Sequence, residues 1–242
     1  MKICAVQTKP ITGDIQSNID QHKRIIEHAV SNGADAIVFP ELSLTGYEPE
    51  LAKELATDQE DGRFDGFQNM SDTEQITIGV GVSIKLDVGI CIGMIVFQPH
   101  QKRHTYSKKY LHADEEPFFV GGQDSKNLIG DKVHVALAIC YELSVPEHAE
   151  HAFKNGAEIY IASVAKFETG IQCAIERLSE IARTYSMAVF MSNSVGEADG
   201  GECAGQTAIW NKQGVLVGQL DDTHEGILVF DTDTEVCVQK MI

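Results

Sequence analysis

The chain has 242 residues, of which 43% are hydrophobic and 23% charged, and a formal net charge of −17. This is an ordinary globular composition, long enough to bury a substantial core, and its apolar runs are far too short to cross a bilayer. The acidic balance argues against nucleic acid and anionic membranes as partners and leaves a small-molecule substrate open.

Six cysteines, at positions 4, 91, 140, 173, 203 and 237, are scattered without CxxC or other metal-ligand spacing. No disulfide framework is expected, so a reducing, cytoplasmic location is the default. The first residues run straight into a strand-like segment, without the apolar core and cleavage site of a signal peptide.

In chain order, residues 2–6 read as a strand. Ile15, Ile19, Ile26 and Val30 recur at near-helical spacing, which predicts an amphipathic helix over 16–31 with Gly33 as its stop. Residues 36–39 form a short apolar strand halted by Pro40, and Glu41 follows at once. Residues 42–49 carry turn chemistry, and the polar stretch 50–75 is predicted to hold one or two helices. Strands are predicted over 76–84, 90–98 and 103–106, with Lys108 just past the last. Residues 112–131, rich in Gly, Asp and Pro, read as a loop.

The pattern then restarts. Residues 133–139 are apolar and β-branched at several positions, which predicts a strand buried on both faces, and it stops at Cys140. Ser144 and Glu147 have capping-box spacing, so a helix is predicted to start near Val145 and Pro146 and run to 155. A strand over 159–164 follows. The next helix carries Ile171, Ala174, Ile175, Leu178, Ile181, Ala182 and Tyr185 on one face, and a strand over 189–193 comes after it. Strands over 204–210, 215–219 and 226–230 finish the chain as hairpins, with a turn at 211–214.

Strand–helix–strand followed by antiparallel strands thus occurs twice, with no Gly/Ser or Pro linker between. The expected architecture is one α/β domain over 1–242, in two related halves, each with a mixed sheet and outer helices. No GxGxxG follows a strand, which disfavours a dinucleotide fold.

Cys140 is the candidate nucleophile. A thiol at a strand end, ahead of a helix N-terminus, is favoured as thiolate by the helix dipole and lies near free backbone N–H groups. The bland alternative is a small core residue closing an apolar strand. A cysteine nucleophile needs a base and a group to hold developing negative charge. None of the nine histidines stands at a strand end in a distinctive context. Glu41 and Lys108 do stand at strand ends and carry opposite charges. They could satisfy each other beside the thiol, although such residues are most often solvated. His148 and His151 are spaced i, i+3 on a predicted helix, where a solvated face is expected rather than a metal. Trp210 reads as core, and Asp114, Glu115 and Glu116 could be no more than a solvated acidic turn.

Three segments come in order, each behind a predicted strand. They are Phe39-Pro40-Glu41 with Gly46-Tyr47, Tyr106-Ser107-Lys108-Lys109-Tyr110-Leu111, and Ile139-Cys140-Tyr141-Glu142 with Pro146-Glu147. Together they resemble the signature segments of the nitrilase superfamily, the carbon–nitrogen hydrolases, and the resemblance extends from about residue 2 to residue 231. It implies an αββα sandwich and a Glu–Lys–Cys triad at Glu41, Lys108 and Cys140. A further glutamate eight residues after the lysine is implied at Glu116, with Glu115 beside it as competitor. Ser107 and Tyr110 depart from the basic residue and histidine usual at those places.

The resemblance also implies a mechanism without metal or organic cofactor. Glu41 takes the thiol proton, the thiolate attacks an amide carbonyl, and Lys108 with the Tyr141 backbone N–H holds the oxyanion. Ammonia or an amine leaves, and a water activated by Glu41 near Glu116 hydrolyses the thioester. Tyr47 and Phe118 are the expected substrate-binding residues. A small amide is the expected substrate, with N-carbamoyl amines and nitriles as alternatives within the family. A Cys–His hydrolase or transferase and a non-catalytic interaction protein are the rivals outside it. A homodimer or higher even oligomer, pairing through the helices over 146–155 and 169–185, is also implied.

Overall fold

Short apolar runs separated by turns and two amphipathic helical repeats fold into a layered α/β structure. The computed structural model describes residues 1–122, 128–129 and 134–242. The first half contains β1 (Lys2–Gln7), α1 (Ile15–Ser31), β2 (Ala36–Val38), α2 (Ala52–Leu55), α3 (Asp65–Glu74), β3 (Thr77–Leu86), β4 (Gly89–Phe97) and β5 (His104–Ser107). Next come β6 (Leu128–Ile129), β7 (Val135–Ile139), α4 (Pro146–Lys154), β8 (Ile159–Ser163), α5 (Glu168–Tyr185) and β9 (Ala188–Ser192). The chain ends in β10 (Val195–Ala198), β11 (Gly201–Ala204), β12 (Ala208–Trp210), β13 (Leu216–Gln219), β14 (Gly226–Asp231) and β15 (Cys237–Met241).

Two mixed sheets result. One runs β15-β14-β1-β2-β3-β4-β5 and the other β13-β12-β9-β8-β7-β6, with β10 and β11 as a separate hairpin. In each, three central strands pair in parallel: β1, β2 and β3 in one, β7, β8 and β9 in the other. Antiparallel strands flank them. The sheets pack face to face around Ile3, Ala5, Val96, Leu137, Ile161 and Phe190. The helices α1 and α3 cover the outer face of the first sheet, over Ile19, Ile26, Phe67 and Ile95. The helices α4 and α5 cover the second, over Ala149, Leu178, Ile181 and Trp210. This is the four-layer αββα arrangement.

Side chains stitch the two sheets together. Ser192 Oγ donates to the Val38 carbonyl at 2.9 Å, and Ser163 Oγ donates to the Phe39 carbonyl at 2.9 Å. These bonds fix the strand that leads to Glu41 against the sheet that carries Cys140. Phe190 on β9 meets Phe230 on β14 edge to face, with centroids 6.0 Å apart. Cutting such a buried aromatic to alanine costs about 3–5 kcal/mol.

Several expectations need correction. The capping box at Ser144 and Glu147 does not form: Val145 is the N-cap of α4, no side chain caps it, and Pro146 opens the helix. The single strand expected over 204–210 is broken, because Gly205 and Gln206 both take positive φ and turn the chain between β11 and β12. A Cβ on Gly205 would stand 2.8 Å from the Asp221 carbonyl oxygen. The strand over 226–230 forms no hairpin with β13; it crosses to the first sheet and pairs with β1. The sequence pattern does not predict β6, which falls inside the expected loop over 112–131, nor β10, nor β11 before Ala204, nor β15. Val133, the first residue of the expected nucleophile strand, lies outside the described residues. No helix among the described residues is long and apolar enough to cross a membrane.

Candidate active site

Three strand ends converge between the sheets. Glu41 follows β2 in a turn buried throughout. That turn presses against Gly81 of β3, where a Cβ would lie 2.4 Å from the Pro40 carbonyl oxygen and 2.5 Å from the Leu42 nitrogen. Only glycine allows this approach. Behind the turn, Ser43 Oγ accepts from the Gly81 N–H at 3.3 Å and pairs with His22 Nε2 at 2.9 Å. The His22 ring stacks on Phe39 at 3.9 Å. Burial pushes His22 down to about 3, so it stays neutral.

Lys108 follows β5, the edge of the first sheet, and is fully buried. Its backbone N–H donates to the Ile92 carbonyl at 2.8 Å, and its carbonyl accepts from the Gly122 N–H at 2.7 Å. Its ammonium sits between two carboxylates, 2.8 Å from Glu41 Oε1 and 2.6 Å from Glu115 Oε1. Lys109, its neighbour, is exposed, with its ammonium over the Tyr110 ring.

Cys140 follows β7 in the second sheet and opens a short 3-10 turn, Cys140–Ser144. Its φ is +43°, in the left-handed region that a non-glycine residue occupies only at a cost of about 1–3 kcal/mol. Such strain persists where the surroundings over-determine it. Here the fully buried Glu142 does so. Its Oε2 accepts from the Ile139 N–H at 2.8 Å and from Tyr106 OH at 2.5 Å. Its Oε1 accepts from the Lys109 N–H at 2.7 Å and the Tyr110 N–H at 3.4 Å. One carboxylate therefore ties the chain just before Cys140 to the chain just after Lys108. His148 completes this network, with Nε2 at 3.0 Å from Tyr106 OH and Nδ1 at 2.9 Å from Tyr160 OH. The solvated face expected for His148 is thus wrong: it is buried, and burial lowers its pKa. His151 is exposed, and no group of His, Cys, Asp or Glu among the described residues is arranged to hold a metal.

Electrostatics set the resting protonation states. Burial raises the pKa of Glu41; the Lys108 charge opposes that rise and Glu115 adds to it. Burial alone would lower the pKa of Lys108, but Glu41, Cys140 and Glu115 hold it well above the ordinary lysine value. Lys108 is therefore a permanent cation at neutral pH. Cys140 keeps part of its surface open, yet burial first, and then Glu41, push its thiol up to about 11 against the opposing charges of Lys166 and Lys108. The stored thiolate suggested by the helix dipole is not what these surroundings favour. At neutral pH the thiol needs a base. Glu41 is the buried carboxylate beside it, and its Oε2 has no hydrogen-bond partner among the described residues.

The glutamate that meets Lys108 is Glu115, not Glu116. A tight turn, with the Glu115 N–H donating to the His112 carbonyl at 3.0 Å, folds Glu115 inward. Its Oε2 accepts from the His112 N–H at 2.8 Å, and Tyr47 OH donates to its Oε1 at 3.0 Å. Burial, then the nearby carboxylates, hold the Tyr47 phenol protonated. Glu116 is exposed and lines a separate cavity of about 460 Å³ with Pro49, Lys53 and Phe118. Phe118 is accordingly absent from the lining of the cleft at Cys140, contrary to expectation. Tyr47 and Tyr141 do line that cleft, of about 280 Å³, together with His112, Lys166 and Phe167.

Sequence reasoning missed Lys166 and Phe167. A signal existed: they lie just past β8, which pairs in parallel with β7. In open parallel sheets, ligands gather at the carboxyl ends of adjacent strands.

The description "Carbon-nitrogen hydrolase" belongs to the family model that matches residues 2–240. A protein of Staphylococcus aureus called "Hydrolase in agr operon" is 25% identical, over 99% of this chain and 94% of its own length. A nitrilase of Pyrococcus abyssi is 24% identical over 100% of this chain and 93% of its own. Among solved structures, an amidase from Nesterenkonia sp. AN1 superposes with a TM-score of 0.85 at 22% identity, covering 96% of this chain and 92% of that one. A variant of that amidase, carrying the acetamide moiety of fluoroacetamide on its active-site cysteine, superposes with a TM-score of 0.84 at 21% identity. It covers 95% of this chain and 89% of that one.

Proposed function

We propose, because the chain belongs to the carbon–nitrogen hydrolase family, that it hydrolyses the carbon–nitrogen bond of small amides through a thioester on Cys140. The observation that carries this reading is the buried Lys108 ammonium, held between Glu41 and Glu115 beside a protonated thiol. A salt bridge of this kind, buried at a cleft rather than on the surface, is expensive unless it has a task.

The steps follow from the groups present. Glu41 takes the Cys140 Sγ proton as the sulfur attacks the amide carbonyl carbon. The oxyanion is held by the Lys108 ammonium and the Tyr141 backbone N–H. The intermediate collapses as Glu41 returns the proton to the leaving nitrogen, and ammonia or an amine departs. Water then gives a proton to Glu41 and attacks the thioester carbonyl, and the departing sulfur regains the proton. Glu115 keeps Lys108 aimed and charged throughout, and Tyr47 keeps Glu115 in place. The nitrilase and amidase names among the relatives support a carbon–nitrogen bond as the target, and the alkylated cysteine of the Nesterenkonia amidase variant, which carries an acetamide moiety, supports a nucleophilic cysteine.

A Cys–His reading has one observation in its favour. His112 lines the same cleft, and its Nδ1 lies 2.6 Å from Asp114 Oδ1. It is, however, exposed to solvent, whereas Glu41 is buried against the thiol. Ammonia release should therefore be measured on small amides, ω-amides, carbamoyl amines and nitriles, with His112→Ala and Cys140→Ala beside the wild type. Amide turnover that survives His112→Ala and vanishes in Cys140→Ala is the expected result. Turnover of nitriles alone would overturn the amide assignment, and a dead His112→Ala would overturn the choice of base.

A further inference from the structure

His22 is a buried titratable group to which the reaction scheme above gives no role. It lies on α1, in the outer layer, yet it reaches the back of the turn that carries Glu41. Its ring is fully buried, flat against Phe39 with planes 16° apart, and 6.2 Å from the Phe67 ring. A neutral imidazole has one donor nitrogen and one acceptor nitrogen. Nδ1 makes no hydrogen bond among the described residues, and the Asn18 backbone behind it favours a proton there. Nε2 is then the acceptor, and the Ser43 hydroxyl, 2.9 Å away, donates to it. The same hydroxyl oxygen accepts from the Gly81 N–H at 3.3 Å. One directed chain therefore runs from α1 through the Glu41 turn to β3. A ring that only filled the core would need no acceptor, and phenylalanine would stack as well without burying ring nitrogens.

The turn needs holding. The Ser43 N–H donates to the Pro40 carbonyl at 3.2 Å, which closes a four-residue turn with Glu41 and Leu42 at its centre. Leu42 takes φ +50°, in the left-handed region that a bulky side chain disfavours. Such backbone persists where the surroundings impose it. The helix α1 grips this segment twice: His22 holds Ser43, and Asn18, one turn earlier, donates from Nδ2 to the Leu44 carbonyl at 3.0 Å. The Glu41 carboxylate has little else to steer it. Its Oε1 meets the Lys108 ammonium at 2.8 Å, and its Oε2 has no hydrogen-bond partner among the described residues. That free oxygen is the one left to take a proton, so its aim follows the backbone of the turn.

Resting on the reading of Glu41 as the base, we propose that His22 is a positioning residue: through Ser43 it fixes the turn that aims the Glu41 carboxylate at the Cys140 thiol. It sets the rate of proton transfer without touching the substrate. Shifting a reacting group by about 1 Å from a distance costs roughly a hundredfold in rate.

The test measures kcat and KM on butyramide, at matched folded concentration, in wild type and five variants. His22→Phe keeps the stack and loses the acceptor. His22→Gln offers a side-chain oxygen at similar reach. Ser43→Ala removes the link, and the double variant His22→Phe with Ser43→Ala removes both. Phe67→Leu loosens the same core region without touching the hydrogen bonds of the turn. In His22→Phe and Ser43→Ala, kcat should fall about ten- to a hundredfold with KM within about twofold. His22→Gln should recover most of the loss, and the double variant should lose no more than either single one, because both break one chain. Phe67→Leu should melt earlier yet keep its kcat. Full kcat in His22→Phe and Ser43→Ala, losses that add in the double variant, or an equal loss in Phe67→Leu would each overturn the proposal. A wild type that turns over no amide, or a fully active Glu41→Gln, ends the reading of Glu41 as base and the rate claim with it. Crystal structures of wild type and Ser43→Ala then decide the positioning alone. A displaced turn and Glu41 carboxylate uphold it, and a carboxylate that keeps its place against Lys108 refutes it.

Discussion

Lys108 Nζ lies 2.6 Å from Glu115 Oε1, whereas Glu116, the next residue, opens onto a different cavity. The carboxylate that steadies the buried ammonium is therefore seven residues after the lysine, not eight. Glu115→Gln should lower kcat by about a hundredfold or more, since it removes half of the cage that aims an oxyanion donor. Glu116→Gln should behave as an ordinary surface change. Steady-state rates of the two variants, at matched folded concentration, check this. A dead Glu116 variant beside an active Glu115 variant would reverse the assignment.

The neighbouring lysines make a similar pair. Adjacent side chains in extended backbone point to opposite faces, and here Lys108 is buried while Lys109 is exposed. Lys108→Ala leaves Glu41 and Glu115 buried without their cation and should abolish measurable turnover, a loss of about a hundredfold at least. Lys109→Ala keeps the backbone N–H that Glu142 accepts and should retain most activity. Rates normalised to folded protein by circular dichroism distinguish the two.

Glu142 acts through others. Its carboxylate accepts four hydrogen bonds that tie the segments of Lys108 and Cys140 together. Glu142→Gln replaces one acceptor oxygen by a donor facing other donors, which costs about 1–3 kcal/mol. Thermal unfolding should shift down by several degrees, at about 2–4 °C per kcal/mol for a chain of this size. If the role is positioning, kcat should fall more than KM rises. A variant with unchanged melting and unchanged kcat would refute the role.

How much of this was legible in advance follows from where the signal lies. The buried strands and the helices α1, α4 and α5 carry strong periodicity, and strand ends that stop at Glu41, Lys108 and Cys140 could be read directly. Glu142 escaped notice because nothing in a sequence shows that a carboxylate beside a nucleophile turns inward to collect backbone N–H groups. The choice between Glu115 and Glu116 hung on one tight turn, which spacing alone does not specify. Lys166 looked like any lysine after a strand; its place in the cleft depends on the folded path of the chain past β8. The strand β15 is mostly exposed, and β10 buries only its first and last residues, so the apolar alternation that marks a strand is missing from them.

The thiol has a pH signature. Cys140 is held up to about 11, above the ordinary thiol value. Below that value each pH unit upward raises the thiolate fraction about tenfold. Alkylation of Cys140 by iodoacetamide in the wild-type protein should therefore climb steadily from pH 7 to pH 10 without levelling off. A plateau below pH 8 would mean a resting thiolate and contradict the electrostatic account.

The most direct test of the whole reading is the mass of Cys140 during turnover. Protein mixed with a small amide, quenched in acid within the first turnovers and digested, should yield the Cys140 peptide heavier by the acyl group of that amide, with ammonia released in equal amount. The adduct should be absent from Cys140→Ala and should accumulate when the amide is chosen for slow thioester hydrolysis. Ammonia released with full activity by Cys140→Ala, or an acyl group found on another residue in place of Cys140, would contradict the account.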